Sequence, residues 1–138
     1  MAKQSAKNAV ILVDNSAGAP QDISKDCVSY ELQYDVDSVE VTGFGEGSHN
    51  FIPGQRVIGI TLDVLWNSLA TTGAMTVLYP IVGHATSKTV SVQPEGTGLA
   101  LSGEFMLEGI KPAGEPGGAI KLGSCKFSVM GAVAPTFA

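Results

Sequence analysis

The chain has 138 residues, enough for one domain with one core and too few for a multidomain enzyme. Apolar residues make up 44% and charged residues 15%, so a core can form while little charge is left for the outside, as on a surface that partners cover. Thirteen Asp and Glu against eight Lys and Arg give a net charge of −5, which excludes the basic footprint of a nucleic-acid-binding domain.

The acidity is uneven. Residues 1–70 hold nine acids and four bases, and residues 71–138 hold four of each. Met1 is followed by Ala-Lys-Gln-Ser-Ala-Lys-Asn, a charged start without the apolar core of a signal peptide. No apolar run approaches the roughly 20 residues of a membrane span. The expectation is a soluble chain that stays in the cytoplasm of the cell making it. Residues 1–7 and 132–138 are expected to be flexible arms around a single domain.

Turn signals recur at Asn15 to Pro20, Gly43 to Gly54, Gly83, Pro94 to Gly98 and Pro112 to Gly118, and short elements between such breaks favour a mainly β fold. Asn8 to Asp14 is a short apolar strand. Val28, Tyr30, Leu32 and Tyr34 alternate with Ser29, Glu31 and Gln33, which predicts a second strand with these four on its inner side. The clearest strand is Val57 to Trp66, where Ile58, Ile60, Leu62, Val64 and Trp66 share one face.

Residues 69–83 break the period. Thr71 or Thr72 as N-cap, the spacing of Ala74, Val77, Leu78 and Ile81, and Gly83 as terminator predict one short helix. Pro80 removes a backbone donor and should stop it early. Val90 and Val92 alternate with Thr89 and Ser91. Residues 99–110 and 119–130 flank a Gly/Pro turn and read as a hairpin. In its second arm the apolar phase slips from Ile120 and Leu122 to Cys125, Phe127 and Val129, which predicts a β-bulge at Gly123-Ser124.

Sites of chemistry are hard to find. Gly43-Phe44-Gly45-Glu46-Gly47 matches neither a dinucleotide fingerprint nor a P-loop, and Glu46 would repel phosphate. Asp35, Asp37 and Glu40 lack the spacing of a calcium loop and read as solvated acids. His49 and His84 sit in no metal-ligand pair, and no Ser stands in a nucleophile motif. Cys27 and Cys125 are too few for a disulfide framework and read as core residues. Trp66 reads as a core or interface anchor. Nothing here assembles nucleophile, base and orienting group, so no catalytic residue, cofactor or metal is expected.

The order of these pieces resembles a family. A strand ending at Asp14 leads to Asp22-Ile23-Ser24, then Val28 to Leu32 and Val36-Asp37-Ser38-Val39-Glu40-Val41-Thr42-Gly43-Phe44-Gly45. Phe51-Ile52-Pro53-Gly54, a long alternating strand, a short helix and a strand pair with Ser102-Gly103-Glu104-Phe105 follow. Over nearly the whole chain this resembles the major tail tube proteins of long-tailed bacteriophages. Those proteins often carry an Arg where Ser48-His49-Asn50 stands here.

The resemblance implies a β-sandwich or barrel-like subunit with one short flanking helix and a long inter-strand loop, a fold shared with the tubes of contractile tails and type VI secretion. It implies hexameric rings that stack into a tube, with inner sheets joined around a lumen that conducts DNA without binding it specifically. Tail tip, tape measure and terminator proteins are the implied partners, and the implied location is the virion tail, assembled in the host cytoplasm. An acidic wall suits such a conduit because it repels the phosphate backbone. Glu31, Asp35, Asp37, Glu40 and Asp63 are the lumen candidates. Phe44, Phe51, Ile52 and Pro53, in the loop from Gly43 to Gly54, are the candidates for contact with a neighbouring subunit or ring, and deleting 44–52 should leave a folded monomer that cannot assemble. The competing readings are a capsid decoration or adhesin-like module, a tail terminator or connector ring, and a small hydrolase using Cys27 or Asp63.

Overall fold

The computed structural model describes residues 8–131 and 133–138. Eight strands form one antiparallel sheet: β1 (Val10–Asp14), β2 (Pro20–Asp22), β3 (Cys27–Glu40), β4 (Phe51–Leu65), β5 (Lys88–Gln93), β6 (Leu101–Leu107), β7 (Lys121–Val129) and β8 (Thr136–Phe137). The order across the sheet is β2-β1-β5-β6-β7-β4-β3, with β8 added to β6. The fold is mainly β and sandwich-like, with one short helix, α1 (Ala74–Leu78), as its flank.

The sheet must bend over itself, because one core holds residues from strands far apart in its order. Ile11 and Val13 of β1 and Val90 and Val92 of β5 share a buried cluster with Ile60 and Leu62 of β4 and Phe127 of β7. Alternation makes this possible, since each strand puts every second side chain on the concave face. In β5 the alternation is complete, with Lys88, Val90 and Val92 buried and Thr89, Ser91 and Gln93 half-buried. The Lys88 stem lies in the core while its Nζ donates to the Ser16 carbonyl at 3.2 Å, which gives the buried ammonium an acceptor. Closure is incomplete, and a groove of about 520 Å³ separates Ala9 and Ile11 from Cys27 to Tyr30.

The helix closes the core through Ala74, Val77 and Leu78, and Ile81 follows in a 3-10 turn over Tyr79–Ile81. Pro80 falls in that turn, so the α-helix ends before it as expected. The cap differs from expectation. Gly73, and neither Thr71 nor Thr72, is the N-cap, and Asp26 Oδ2 accepts the Ala74 N–H at 3.1 Å from 48 residues away. A Cβ at Gly73 would stand 2.4 Å from the Asn67 carbonyl, so the tight loop before α1 excludes the side chains that usually cap.

Three bulges shape the sheet, one of them far out on the hairpin where Gly54 and Gln55 of β4 face Asp37 of β3. Gly123, at φ +72°, sits where β7 gains a residue against Asp63 and Leu65 of β4, the slip the apolar phase indicates. The third lies at Val28, between the Cys27–Val64 and Ser29–Asp63 pairs, and it corrects the expected inner face of β3. Cys27 takes the position facing Val64, and Val28 is turned out at 64% exposure. At the C-terminus, Thr136 and Phe137 pair with Ser102 and Leu101, so this part of the expected arm is a strand. Residues 1–7 and 132 lie outside the described residues.

Candidate assembly surfaces

Strands β3 and β4 pair from Cys27 and Val64 out to Glu40 and Phe51, whereas the contact of β4 with β7 stops at Gly59 and Ser128. From Gln33 to Val57 the chain is therefore a two-stranded arm, exposed at every residue except the half-buried Thr42. Eight residues from Gln33 to Glu40 make it about 25 Å long. Its tip closes where the Val41 N–H donates to Asn50 O and the Asn50 N–H donates to Thr42 Oγ1, each at 2.8 Å.

Phe51, Ile52 and Pro53 belong to strand β4, paired with Glu40, Val39 and Ser38, and this corrects their assignment to the loop. Pairing continues through a proline because the ladder slips between Arg56 and Pro53, where a missing N–H costs little. Only Phe44 of the four candidates is in the tip, and its ring is fully exposed. A free two-stranded ribbon is marginal in water, and this one exposes Tyr34, Val36, Val39, Val41, Phe44, Phe51 and Ile52. At its base Arg56 lies 5.5 Å from the Tyr34 ring centre and donates from Nη1 to the Tyr34 hydroxyl at 3.1 Å. Phe137 of β8 meets the same ring edge-on, with centres 5.4 Å apart.

The second surface is the convex face of β3, β4 and β7. Cross-strand rows run Ser29, Asp63, Ser124; Glu31, Thr61, Lys126; and Gln33, Gly59, Ser128. Asp63 is held between two strands, accepting Ser29 Oγ at 2.9 Å and Ser124 Oγ at 3.3 Å. Gln33 Nε2 donates to Asp35 Oδ2 at 3.1 Å. Period-two alternation puts Asp37 on the same face. Glu31, Asp35, Asp37 and Asp63 thus share one face, strung over about 26 Å from the Ser29 row to Asp37, with Lys126 the one base in the three rows. Glu40 is three residues beyond Asp37, so alternation turns it to the opposite face, where its Oε1 is 2.8 Å from His49 Nδ1. No other ion pair is found among the described residues.

Strand β3 ends the sheet, so one edge of all 14 residues is unpaired among the described residues. Both thiols are held in the protonated form. Burial, with Asp26 nearby, pushes Cys27 up to about 12, and burial, with Asp63 nearby, pushes Cys125 up to about 11. His84 Nδ1 accepts the Thr86 N–H at 3.1 Å. Alternation reached Tyr34 but was not carried on to Val36 and Val39, whose signal was a strand pattern continuing past Tyr34 with too few partners to bury it.

No protein-family model matches the chain, and no curated protein matches it. Solved structures do. A chain in the virion of the native gene transfer agent (GTA) particle is 17% identical, with 97% of this chain and 99% of that one covered and a TM-score of 0.75. A chain in the tail of the empty GTA particle, refined with C6 symmetry, is 20% identical, with the same shares covered and a TM-score of 0.77. The fold is one found in a sixfold tail. At these identities the likeness is one of fold, and it spans almost the whole of each chain.

Proposed function

We propose that this chain is a structural protein of a phage tail, the subunit of a tube of stacked hexameric rings through which DNA passes to the host. The observation that carries this is the arm: 25 residues, all but Thr42 exposed, with apolar side chains on both faces and, beyond the Tyr34–Phe137 contact at its base, no strand pairing outside the hairpin among the described residues. Such a ribbon gains stability only when another surface buries it. The C6 symmetry of the tail that holds a chain of the same fold supports six copies per ring. The unpaired edge of β3 supports lateral joining of sheets, and closure of a ring removes that edge. The face of Glu31, Asp35, Asp37 and Asp63 is the best lumen wall on the chain, because unpaired carboxylates repel phosphate and let a duplex slide. Glu40 faces away and is assigned to the arm. Tail tip, tape measure and terminator proteins are the partners such a tube requires, and the virion tail is its place, reached by assembly in the host cytoplasm.

Negative-stain electron microscopy over a concentration series, with the mass in solution measured beside it, tests this. Hollow tubes or stacked rings are expected. Single rings that never stack would replace the reading with a terminator or connector. A monomer at every concentration, even with a tail-tip complex added, would replace it with a decoration or adhesin-like module.

A further inference from the structure

Strand β6 offers one edge to two partners in turn. Phe105 to Leu107 pair with β7, while Leu101 and Ser102 pair with β8, so β8 stands in the line that β7 leaves free. The arm departs where β7 ends: β4 loses β7 beyond Gly59, and from Ile58 outward it has only β3. Alternation puts Pro135 and Phe137 on the core side of β8, level with Gly103 and Leu101. Pro135 is buried over Gly103, so closely that a Cβ there would stand 2.6 Å from the proline's own. Phe137 reaches the base of the arm and meets the Tyr34 ring edge-on, with the ring planes at 62°. The Arg56 guanidinium lies 5.5 Å from the centre of the same ring and donates to its hydroxyl, so groups from β3, β4 and β8 converge on Tyr34.

The hold of β8 is light. It consists of two residue pairs with β6 and the reciprocal backbone bonds of Ala100 and Ala138, at 3.0 and 3.1 Å, and Thr136, Phe137 and Ala138 are exposed. The arm is long by comparison, and among the described residues no strand pairs with it outside its own hairpin. A two-stranded ribbon without a third strand swings about its base. Phe137 meets that base from the body of the subunit, on the face where the ribbon would bend toward the core.

We propose that β8 is a strap that fixes the direction of the arm in the free subunit. While β8 is paired with β6, Phe137 against Tyr34 holds the ribbon at one angle to the sheet; when β8 lifts, the ribbon swings. Phe137 is a positioning residue, acting through Tyr34 and Arg56. Its light pairing makes β8 the part that opens first. An arm already held in one direction loses less freedom when it meets a partner, so the strap lowers the concentration needed for assembly. That consequence rests on the tube reading, whereas the strap itself is a property of the single subunit.

Hydrogen–deuterium exchange of the unassembled subunit reads the strap directly. Phe137→Ala should speed exchange of the arm amides, residues 33–42 and 50–57, about fivefold, while those of the core strands, residues 59–65 and 121–128, keep their wild-type rates. Phe137→Tyr keeps the ring and should keep the wild-type rates throughout. Gly103→Ala lifts β8 from its other side without touching either ring; it should loosen the arm as Phe137→Ala does, and the two changes together should add nothing further. Subunits with Phe137→Ala should also need about five times the protein concentration to form tubes. Arm amides that exchange at the wild-type rate in Phe137→Ala, or a rise shared equally by the core strands, would overturn the strap. Tubes that form at a lower concentration from Phe137→Ala would overturn its part in assembly. An arm loosened as stated, in a protein that forms neither rings nor tubes, would support the strap and remove the tube reading.

Discussion

Replacing Asp26 by Ala removes a carboxylate that ties three separate segments together. Asn67 Nδ2 donates to Asp26 Oδ1 and Oδ2 at 3.1 Å each, and the Ala74 N–H donates to Oδ2 at 3.1 Å. No side chain of the helix or its own loop caps α1, so the Ala74 N–H, on a fully buried residue, loses its acceptor in the variant. An orphaned buried donor costs about 1–3 kcal/mol, and loss of an N-cap costs about 0.5–2 kcal/mol. The two figures overlap in one bond, and Asp26 is half-buried, so the expected loss is about 2 kcal/mol. Unfolding entropy of about 2.1 cal/mol/K per residue gives about 0.3 kcal/mol/K for this chain length, hence a fall in Tm of about 7 °C. Thermal unfolding followed by circular dichroism measures it. Asp26→Asn keeps one oxygen for the Ala74 N–H and should lose about half as much. A fall below about 2 °C for Asp26→Ala would show that solvent caps the helix as well as Asp26 does, and the argument would be wrong.

Reversing Glu31 and Asp63 to Lys turns the face of four carboxylates and Lys126 from −3 to +1 per subunit. The variant tubes should bind short DNA duplexes with an affinity that falls steeply with salt, by a slope of about 0.9 per phosphate neutralised, whereas wild-type tubes should not bind them. A solved tube with Asp63 and Glu31 on its outside would refute the placement. Gly103→Ala puts a Cβ at 2.6 Å from that of Pro135, so β8 should lift from β6, the contact of Phe137 with Tyr34 should go, and about 1–3 kcal/mol of stability should be lost in denaturant melts. The thiols set a pH dependence. Native values raised from 9.0 to about 12 for Cys27 and about 11 for Cys125 favour the protonated form, so their contribution is full below pH 9 and is lost as pH rises toward 11–12. Wild type should lose stability between pH 8 and 10.5 more steeply than Cys27→Ala/Cys125→Ala, and equal slopes in urea melts would count against buried native thiols.

The local pattern carried much of the fold. Strict alternation placed Ile58, Ile60, Leu62 and Val64 on one face, and all four are buried. The phase slip from Leu122 to Cys125 announced the bulge at Gly123, because an inserted residue moves every later side chain by one place. Helical spacing found α1, and Pro80 set its end. Val28 shows the limit of the same logic: a bulge at the first rung of β3 turns it outward, and nothing in the alternation of Val28, Tyr30 and Leu32 marks that slip.

The acid cluster was half legible. Composition concentrated the carboxylates in residues 1–70, but whether they act together depends on which strands lie side by side. Pairing of β3 with β4 put Asp63 within reach of Ser29, and one step of alternation sent Glu40 to the other side. Phe51 to Pro53 read as loop because glycines and a proline surround them, and tertiary pairing with Ser38 to Glu40 made them strand. The cap on α1 was invisible, since its acceptor is 48 residues distant and no local propensity encodes it.

The sequence by itself determined which side chains can share a face, where the chain must turn, and that its charge is acidic and uneven, since these follow from periodicity, backbone sterics and composition. Only the tertiary structure decided which faces meet: that the sheet bends round one core, that β3 and β4 outrun their neighbours into a two-stranded arm, and that a bulge turns Val28 outward. Those are outcomes of long-range pairing and register, whose energies are set between residues far apart in the chain.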